Sequence, residues 1–389
     1  MRVVFPKVLD STESVVGEKL IRSQRHIPGV NWVIALALVA GAFVAVRAQT
    51  SGAAAFQAVQ GKANSKPGPR SVPAKMIPVP ADVDSDTAAA IAAPYSSLSN
   101  LDPPDDAGWR AVQHAAGAGL PMLAQQRTTL GVSIEATTVG GVRAFILTPR
   151  DIPERHKNQL VINIHPGGYV FGAGESGTGE GTMMAAYGGY KVLVIDYRMP
   201  PDAPYPAGMD DVMRAWRALA ATMNPRRVAI EGTSTGGGMT LALMLRLKAE
   251  GLPLPGAIAP GSPWSDMTET GDSYKTNQWV DNVVPSYTPY LANAARLYAH
   301  GHDLEDPQLS PIYGDFHGLP PAILTTGTRD LFLSNTVRAH RKLRQAGVEA
   351  DLQVYEGLSH AQYLSSPTAP VAKEVFGEIT RFFDAHLAH

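Results

Sequence analysis

Apolar residues along residues 128–389 fall into short runs that are separated by longer, mixed segments. Short apolar runs bounded by glycine, proline or polar residues predict strands, and the mixed segments between them predict helices. The predicted strands are 133–138, 141–147, 160–164, 192–195, 228–230, 256–259, 322–326 and 351–355, of which the first two flank Val139-Gly140 as a hairpin. Strands that alternate with helices favour an α/β fold with a mostly parallel, eight-stranded sheet and an antiparallel start.

The N-terminus has the pattern of a targeting segment. Basic residues precede an apolar run over residues 30–46, which is short for a membrane span of about 20 residues. Val46-Arg47-Ala48 then places small residues where a signal peptidase reads the chain. We expect residues 1–48 to be a signal peptide cleaved after Ala48. The alternatives are an uncleaved membrane anchor, a misassigned start codon and a buried helix. A signal peptide would export the protein to the periplasm or beyond. An anchor would hold the exported protein at the inner membrane.

Composition changes again after the apolar run. Residues 49–80 are rich in Ala, Gly, Pro, Ser and Lys, which predicts a flexible linker. Residues 81–127 alternate helix-compatible segments, 86–92 and 107–116, with proline-rich breaks. Residues 265–300, hereafter the insertion, interrupt the strand and helix rhythm of residues 128–389 with helical sequence that contains Trp and Tyr. Together with the N-terminal helices, the insertion could roof a site.

Charge and cysteine content exclude several classes of function. The 389 residues carry 33 Lys and Arg against 35 Asp and Glu, so no polyanionic partner such as nucleic acid is favoured. The chain has 0 Cys, which excludes disulfides, thiol nucleophiles and cysteine-ligated metals. His300, His302 and Asp303 are close in sequence, but no third cluster follows them. We expect neither a metal nor a cofactor.

Four polar side chains follow predicted strands. In an open α/β sheet the ligand crevice lies outside the carboxyl ends of the strands, so Ser234, Asp330, His360 and His165 can meet there. A serine hydroxyl becomes a useful nucleophile when a base accepts its proton and an acid orients that base. Ser234, His360 and Asp330 provide all three groups. The plainer interpretations are that Asp330 is an acid at the start of a helix predicted over 335–346 and that His360 is an ordinary loop histidine.

The pattern Gly232-x-Ser234-x-Gly236 predicts a sharp turn between a strand and a helix. The residues two before and two after the serine must lack side chains for such a turn to close. We expect the helix to start just after Gly238, with its N–H groups and positive end beside the hydroxyl. The plainer interpretation is a glycine turn with an incidental serine.

Eight motifs in sequence order carry a family resemblance. They are His165-Pro-Gly-Gly, Asp196-Tyr-Arg-Met-Pro-Pro-Asp202, Tyr205-Pro-Ala, Gly232-Thr-Ser-Thr-Gly-Gly237, Ser262-Pro-Trp-Ser-Asp266, Leu309-Ser-Pro-Ile-Tyr, Gly318-Leu-Pro-Pro-Ala and Gly327-Thr-Arg-Asp330. From about residue 130 to the C-terminus, and more loosely from about residue 75, the chain resembles the hormone-sensitive-lipase-like esterases of bacteria, family IV of the α/β-hydrolases.

The resemblance implies an α/β-hydrolase fold with a helical cap made of the N-terminal helices and the insertion. It implies that Ser234 is the nucleophile, Asp330 the acid and His360 the base of a catalytic triad. It places the oxyanion hole at the N–H groups of three residues and gives further residues supporting roles. The oxyanion residues are Gly167, Gly168 and Thr235, and the supporting residues are His165, Tyr197, Arg198, Gly232 and Gly236.

The activity implied is serine-dependent hydrolysis of carboxylic esters of small molecules, with short to medium acyl groups preferred. A lactonase or an amidase would use the same three residues. A ligand-binding protein that has lost the chemistry is the alternative outside the enzymes. Membrane attachment through residues 30–46 and a homodimer both stay open.

Four positions depart from the family pattern. Pro166 stands where the family usually has glycine, and Thr233 and Thr235 stand where it usually has an acid and alanine. Thr233 removes a carboxylate beside the site, so the pH profile cannot be copied from relatives. Asn335 stands at the second acidic position after the predicted triad acid, which leaves support of the histidine from there in doubt.

Overall fold

The computed structural model describes residues 68–69, 71–116 and 119–388. The predicted signal peptide or anchor and most of the predicted linker lie outside the described residues. Residues 71–80 form neither a helix nor a strand. Within the described ranges, no helix combines the length and the apolar character that a membrane span requires.

The core of the fold is an eight-stranded sheet with the strand order β1-β2-β4-β3-β5-β6-β7-β8. Its first two pairings, β1 with β2 and β2 with β4, are antiparallel, and the others are parallel. The predicted α/β class, the mostly parallel sheet and its antiparallel start are therefore confirmed. The strands are β1 Val132–Val139, β2 Val142–Pro149, β3 Leu160–Ile164, β4 Val192–Ile195, β5 Val228–Thr233, β6 Ala257–Gly261, β7 Ala322–Gly327 and β8 Ala350–Tyr355.

Helices cover both faces of this sheet, which is why its central strands are almost entirely apolar. In the described residues the helices are α1 Ser85–Ala92, α2 Asp106–Ala116, α3 Leu120–Leu130, α4 Gly179–Gly188, α5 Ala207–Ala220, α6 Thr235–Ala249, α7 Ser273–Thr276, α8 Tyr290–Ala299, α9 Leu333–Gln345 and α10 Pro370–His386. Successive strand residues point to opposite faces: Ile162 and Ile230 pack with α5 and α6, and Val161 and Ala229 pack with α4 and α10.

Most element boundaries shift from the predicted ones by a few residues, and the start of α6 and the presence of α3 differ most. The helix expected just after Gly238 begins at Thr235, so the prediction of its start was wrong. A Cβ added at Gly238 would lie 2.4 Å from the carbonyl oxygen of Trp264, so this glycine is required for close packing and does not interrupt the helix. The helix α3, for which no segment was predicted, extends to Leu130, past the expected end of the N-terminal helices.

The insertion contains α7 and α8, joined by a loop that packs against the N-terminal helices. The side-chain amide of Asn282 in this loop donates to the carbonyl oxygens of Ala90 and Ala93, both at 2.9 Å. The amide of Ser96 donates back to the Asn282 carbonyl at 2.8 Å. The Ala90 carbonyl, which also accepts from the Ala93 amide at 3.3 Å, lies in the last turn of α1, so these bonds fix the insertion to the end of that helix.

The turn from β5 to α6 has no room for a side chain at Gly232 or Gly236. A Cβ at Gly232 would lie 2.4 Å from the carbonyl oxygen of Ile164, and one at Gly236 would lie 1.8 Å from the same atom. Ser234, between them, has φ 61° and ψ −119°, a conformation that L-residues rarely adopt. Its amide donates to the Gly261 carbonyl at 2.8 Å, so contacts with neighbouring strands hold the strained residue.

Replacing Gly236 with Ala should destabilise the protein by at least about 2 kcal/mol, because backbone must move to admit the methyl group. The matched control is Gly377→Ala in α10, where the nearest heavy atom to an added Cβ is 3.7 Å away and the change should be neutral or stabilising by up to about 1 kcal/mol. Thermal unfolding of both variants measures this. Equal melting temperatures for the two would contradict the packing constraint.

Candidate active site

The structure brings Ser234, His360 and Asp330 together at the carboxyl ends of β5, β8 and β7. The His360 Nε2 atom lies 2.9 Å from Ser234 Oγ, and its Nδ1 atom lies 3.0 Å from Asp330 Oδ1. All three residues are buried, with 8% of Ser234, 4% of His360 and none of Asp330 exposed. Such a hydrogen-bonded series can take a proton from the serine hydroxyl and stabilise the resulting imidazolium.

The Asp330 carboxylate is fixed by two further donors. The Phe332 amide donates to Oδ1 at 2.7 Å, and the Thr326 hydroxyl donates to Oδ2 at 2.8 Å. The amide bond lies at the start of α9, so Asp330 also acts as an acid at a helix N-terminus. The two interpretations of Asp330 from sequence therefore describe the same side chain.

Burial and charge act in opposite directions on the pKa of His360. Burial by itself disfavours the imidazolium, but the charge and hydrogen bond of Asp330 outweigh it, so the pKa of His360 is raised above its usual value. For Asp330, burial favours the neutral acid, but His360 and the hydrogen-bond donors hold its pKa below the usual value. Asp330 is therefore charged wherever His360 can work as a base.

The loop after β3 contains two glycines in the left-handed region. Gly167 has φ +129° and Gly168 has φ +65°. The Gly167 carbonyl accepts from the amides of Val170 and Phe171 at 3.0 and 2.8 Å, which closes the loop. Among the residues that the structure describes, none accepts a hydrogen bond from the amides of Gly167, Gly168 or Thr235. Amides of this kind, beside the positive end of α6, suit an anion.

The predicted supporting residues His165 and Tyr197 stabilise the loop after β3 through stacking and hydrogen bonds. The His165 ring is fully buried and stacks on Tyr197 with 4.1 Å between ring centroids. The Tyr197 hydroxyl donates to the His165 carbonyl at 3.0 Å, and His165 Nδ1 lies 2.8 Å from the Pro166 carbonyl oxygen. Burial lowers the pKa of His165, so its ring is neutral. Arg198 pairs with Asp211 at 2.8 Å. These residues therefore stabilise loops and do not meet the reacting groups.

Sequence reasoning missed Asp281, a fully buried carboxylate in the insertion. Its Oδ1 atom accepts from the amides of Val283 and Val284, both at 2.8 Å. Its Oδ2 atom accepts from the amides of Leu331 at 2.8 Å and His360 at 2.9 Å. Asp281 follows no strand and belongs to no motif quoted above, so no local pattern indicated it.

The support for the histidine that was in doubt at Asn335 does not come from that residue. Asn335 is buried, and its side-chain amide donates to the Tyr274 hydroxyl at 2.9 Å. Support reaches the His360 backbone from Asp281 instead.

Sequence reasoning also missed the carboxyl group of Glu180, which bonds Thr233 in the turn between β5 and α6. Thr233 carries no carboxylate, but its hydroxyl donates to Glu180 of α4 and also lies 2.7 Å from the Tyr363 hydroxyl. Glu180 therefore supplies, from a distant part of the chain, a carboxyl group next to the residue that precedes Ser234. Burial raises the pKa of Glu180 to about 7.

Comparisons with known proteins agree with this architecture. A family model described as alpha/beta hydrolase fold matches residues 161–364. An acetyl-hydrolase of Streptomyces hygroscopicus is 29% identical over 233 residues, which are 59% of this chain and 77% of that protein. The crystal structure of an esterase E25 is similar with a TM-score of 0.79 and 38% identity, covering 82% of this chain and 99% of that one.

A further solved structure, of an esterase from the bacterial hormone-sensitive lipase family, has a TM-score of 0.66 and 28% identity, and covers 79% of this chain and 99% of that one. The matched residues include Ser234, Asp330 and His360. The chain belongs to the α/β-hydrolase fold family, in its hormone-sensitive-lipase-like branch, and is a carboxylic ester hydrolase.

Proposed function

We propose that this esterase uses Ser234 as nucleophile, His360 as base and Asp330 as orienting acid, and that it prefers short to medium acyl esters of small molecules. The observation that carries the proposal is the unbroken series of contacts, 2.9 Å from Ser234 Oγ to His360 Nε2 and 3.0 Å from His360 Nδ1 to Asp330. The series also argues against a ligand-binding protein without catalysis, because such a protein has no need of it.

In the proposed reaction, Ser234 Oγ attacks the ester carbonyl carbon while its proton passes to His360 Nε2. Collapse of the tetrahedral intermediate breaks the bond to the alcohol oxygen, and His360 returns the proton to the leaving alcohol. Water then loses a proton to His360 and attacks the acyl-enzyme, which releases the carboxylic acid and restores the Ser234 hydroxyl. Asp330 stays ionised throughout and stabilises the imidazolium.

The negative oxygen of the intermediate is proposed to bind the amides of Gly167, Gly168 and Thr235. Support comes from the two left-handed glycines and from the position of Thr235 as first residue of α6, where amides lack helical partners. Pro166 has no N–H, so the proline does not remove a donor from this set. Each such donor contributes about 2.7–4 kcal/mol in comparable sites.

The preference for short to medium acyl groups rests on restricted space. The Tyr290 hydroxyl of the insertion lies so close to Gly168 that an added Cβ there would be 2.2 Å from it. Only 8% of Ser234 is exposed. Tyr290 therefore limits the space beside Gly168, and the name of the Streptomyces relative, acetyl-hydrolase, agrees with a small acyl group.

Ser234→Ala should reduce ester turnover by at least about 10⁴-fold relative to the wild type. The variant would keep only the rate enhancement that oxyanion binding alone provides, which is about 10³-fold over the reaction in water. Ser133→Ala is the matched control, since the Ser133 hydroxyl is exposed on β1 and donates to the Thr148 carbonyl at 3.2 Å. Hydrolysis of p-nitrophenyl butyrate by both folded variants measures the effect. Turnover by Ser234→Ala within tenfold of the wild type would remove the proposed mechanism.

The pH profile of kcat/KM should have an acid limb with its midpoint above about pH 6.5, the ordinary value for histidine. His360 must be neutral to accept a proton. Because its pKa is raised, the inactive imidazolium form stays populated up to a higher pH. A profile of initial rates across the range from acid to mildly alkaline pH measures the midpoint. An acid limb centred below the ordinary histidine value would contradict the assignment of His360 as base.

Among p-nitrophenyl esters from acetate to palmitate, we expect butyrate to be hydrolysed faster than palmitate, because the insertion restricts the space above Gly168. A lactone and an anilide of similar size complete the panel, since the same three residues can act on both. Faster turnover of palmitate would exclude the size preference. Faster turnover of the lactone or the anilide would assign the enzyme to that class of substrate.

A further inference from the structure

We propose that Asp281 is a positioning residue for the ester hydrolysis described above, which holds His360 and Asp330 in register by binding the backbone beside each. The inference rests on the proposed triad. Asp281 does not touch the reacting atoms, and it acts through the two loops that carry the acid and the base.

The carboxylate joins three separate segments of the chain. Its Oδ2 atom accepts from the His360 amide, in the loop after β8, and from the Leu331 amide, in the loop after β7. Leu331 directly follows Asp330, so one oxygen atom fixes the backbone of both residues that must form the 3.0 Å contact. Its Oδ1 atom accepts from Val283 and Val284 and so anchors the carboxylate to the insertion.

The charge of Asp281 also reaches the imidazole. Burial and the neighbouring Asp330 carboxylate raise the pKa of Asp281 to about 6, while His360 and the amide donors act in the opposite direction. The side chain is therefore ionised in mildly alkaline solution. Its negative charge is one of the causes that raise the pKa of His360. The groups that face Asp281 and titrate are Asp330 and His360.

Hydrogen bonds to the histidine loop and to the end of α1 hold the segment that carries Asp281. The next residue, Asn282, donates its amide to the Ser359 hydroxyl at 3.1 Å, and its side chain bonds the end of α1. Gln362 donates to both the Ala90 carbonyl at 2.7 Å and Asn282 Oδ1 at 3.1 Å. The insertion and α1 thus form one hydrogen-bonded support for the histidine loop.

Asparagine cannot replace aspartate here without a defect. Four amides donate to the two carboxylate oxygens, and an asparagine side chain offers one oxygen and one NH₂ group. Whichever way the asparagine amide is turned, its NH₂ group lies opposite two backbone N–H donors and cannot accept a hydrogen bond from either. Asp281→Asn therefore keeps the volume, removes the charge and breaks the bridge at one end.

We expect Asp281→Asn to lower kcat by at least about tenfold, with KM within about threefold, because small displacements of catalytic groups cost rate more than binding. We also expect the acid limb of kcat/KM to move to lower pH, since the charge that favours the imidazolium is lost. Initial rates with p-nitrophenyl butyrate, measured well below the melting temperature of each variant, give both quantities.

The matched control is Asp266→Asn. Asp266 is also a fully buried carboxylate of the insertion, but it pairs with Arg338 and accepts from the Thr268 amide. This variant should lose stability and keep the position of the acid limb. A kcat of Asp281→Asn within about threefold of the wild type would overturn the proposal. So would a rate loss equal to that of Asp266→Asn with the acid limb unmoved.

Two further variants separate the remaining outcomes. If Ser234→Ala retained activity, the proposed triad itself would fail; if it is inactive while Asp281→Asn behaves as wild type, only the positioning role fails. If Asp281→Asn does not fold, Asp281→Glu keeps the charge on a longer arm. That variant should lower kcat and leave the acid limb in place, and wild-type kcat in it would equally overturn the proposal.

Discussion

The site depends on the close approach of Gly236 to the carbonyl oxygen of Ile164, where no side-chain atom fits. Because of this contact, the first turn of α6 packs directly against the end of β3. The β3 strand continues directly into the loop that carries Gly167 and Gly168. The same packing constraint therefore fixes Ser234 and the start of α6 relative to the loop in which we propose two of the oxyanion donors.

The histidine and its acid depend on a different set of contacts. Asp330 and His360 lie in loops, and loops take their conformation from what packs around them. Here a buried carboxylate of the insertion binds the backbone of both loops, and an asparagine beside it bonds the end of α1. The elements expected only to roof the site are thus also bonded to the loops that carry two of its three side chains.

The sequence was sufficient to predict the sheet and the meeting of Ser234, Asp330 and His360, because the strands and the residues that follow them are encoded locally. Central parallel strands are rich in apolar residues, and Ser234, Asp330 and His360 each follow a parallel strand, β5, β7 and the edge strand β8. The start of α6 was misplaced because glycine is a poor helix former, and tertiary packing overrode that propensity at Gly236 and Gly238. Asp281 and Glu180 were missed because their partners are distant in sequence, and burial with hydrogen bonding to distant backbone leaves no periodic signal.

The central claim is that Ser234 is the nucleophile, and covalent labelling tests it most directly. A fluorophosphonate reacts with a serine only where a base activates the hydroxyl and an oxyanion site binds the phosphoryl oxygen. After reaction to complete loss of esterase activity, intact mass and peptide mapping should show one adduct per chain, on the peptide that contains Ser234. Loss of activity with the adduct on another residue, or full activity in protein labelled at Ser234, would contradict the account.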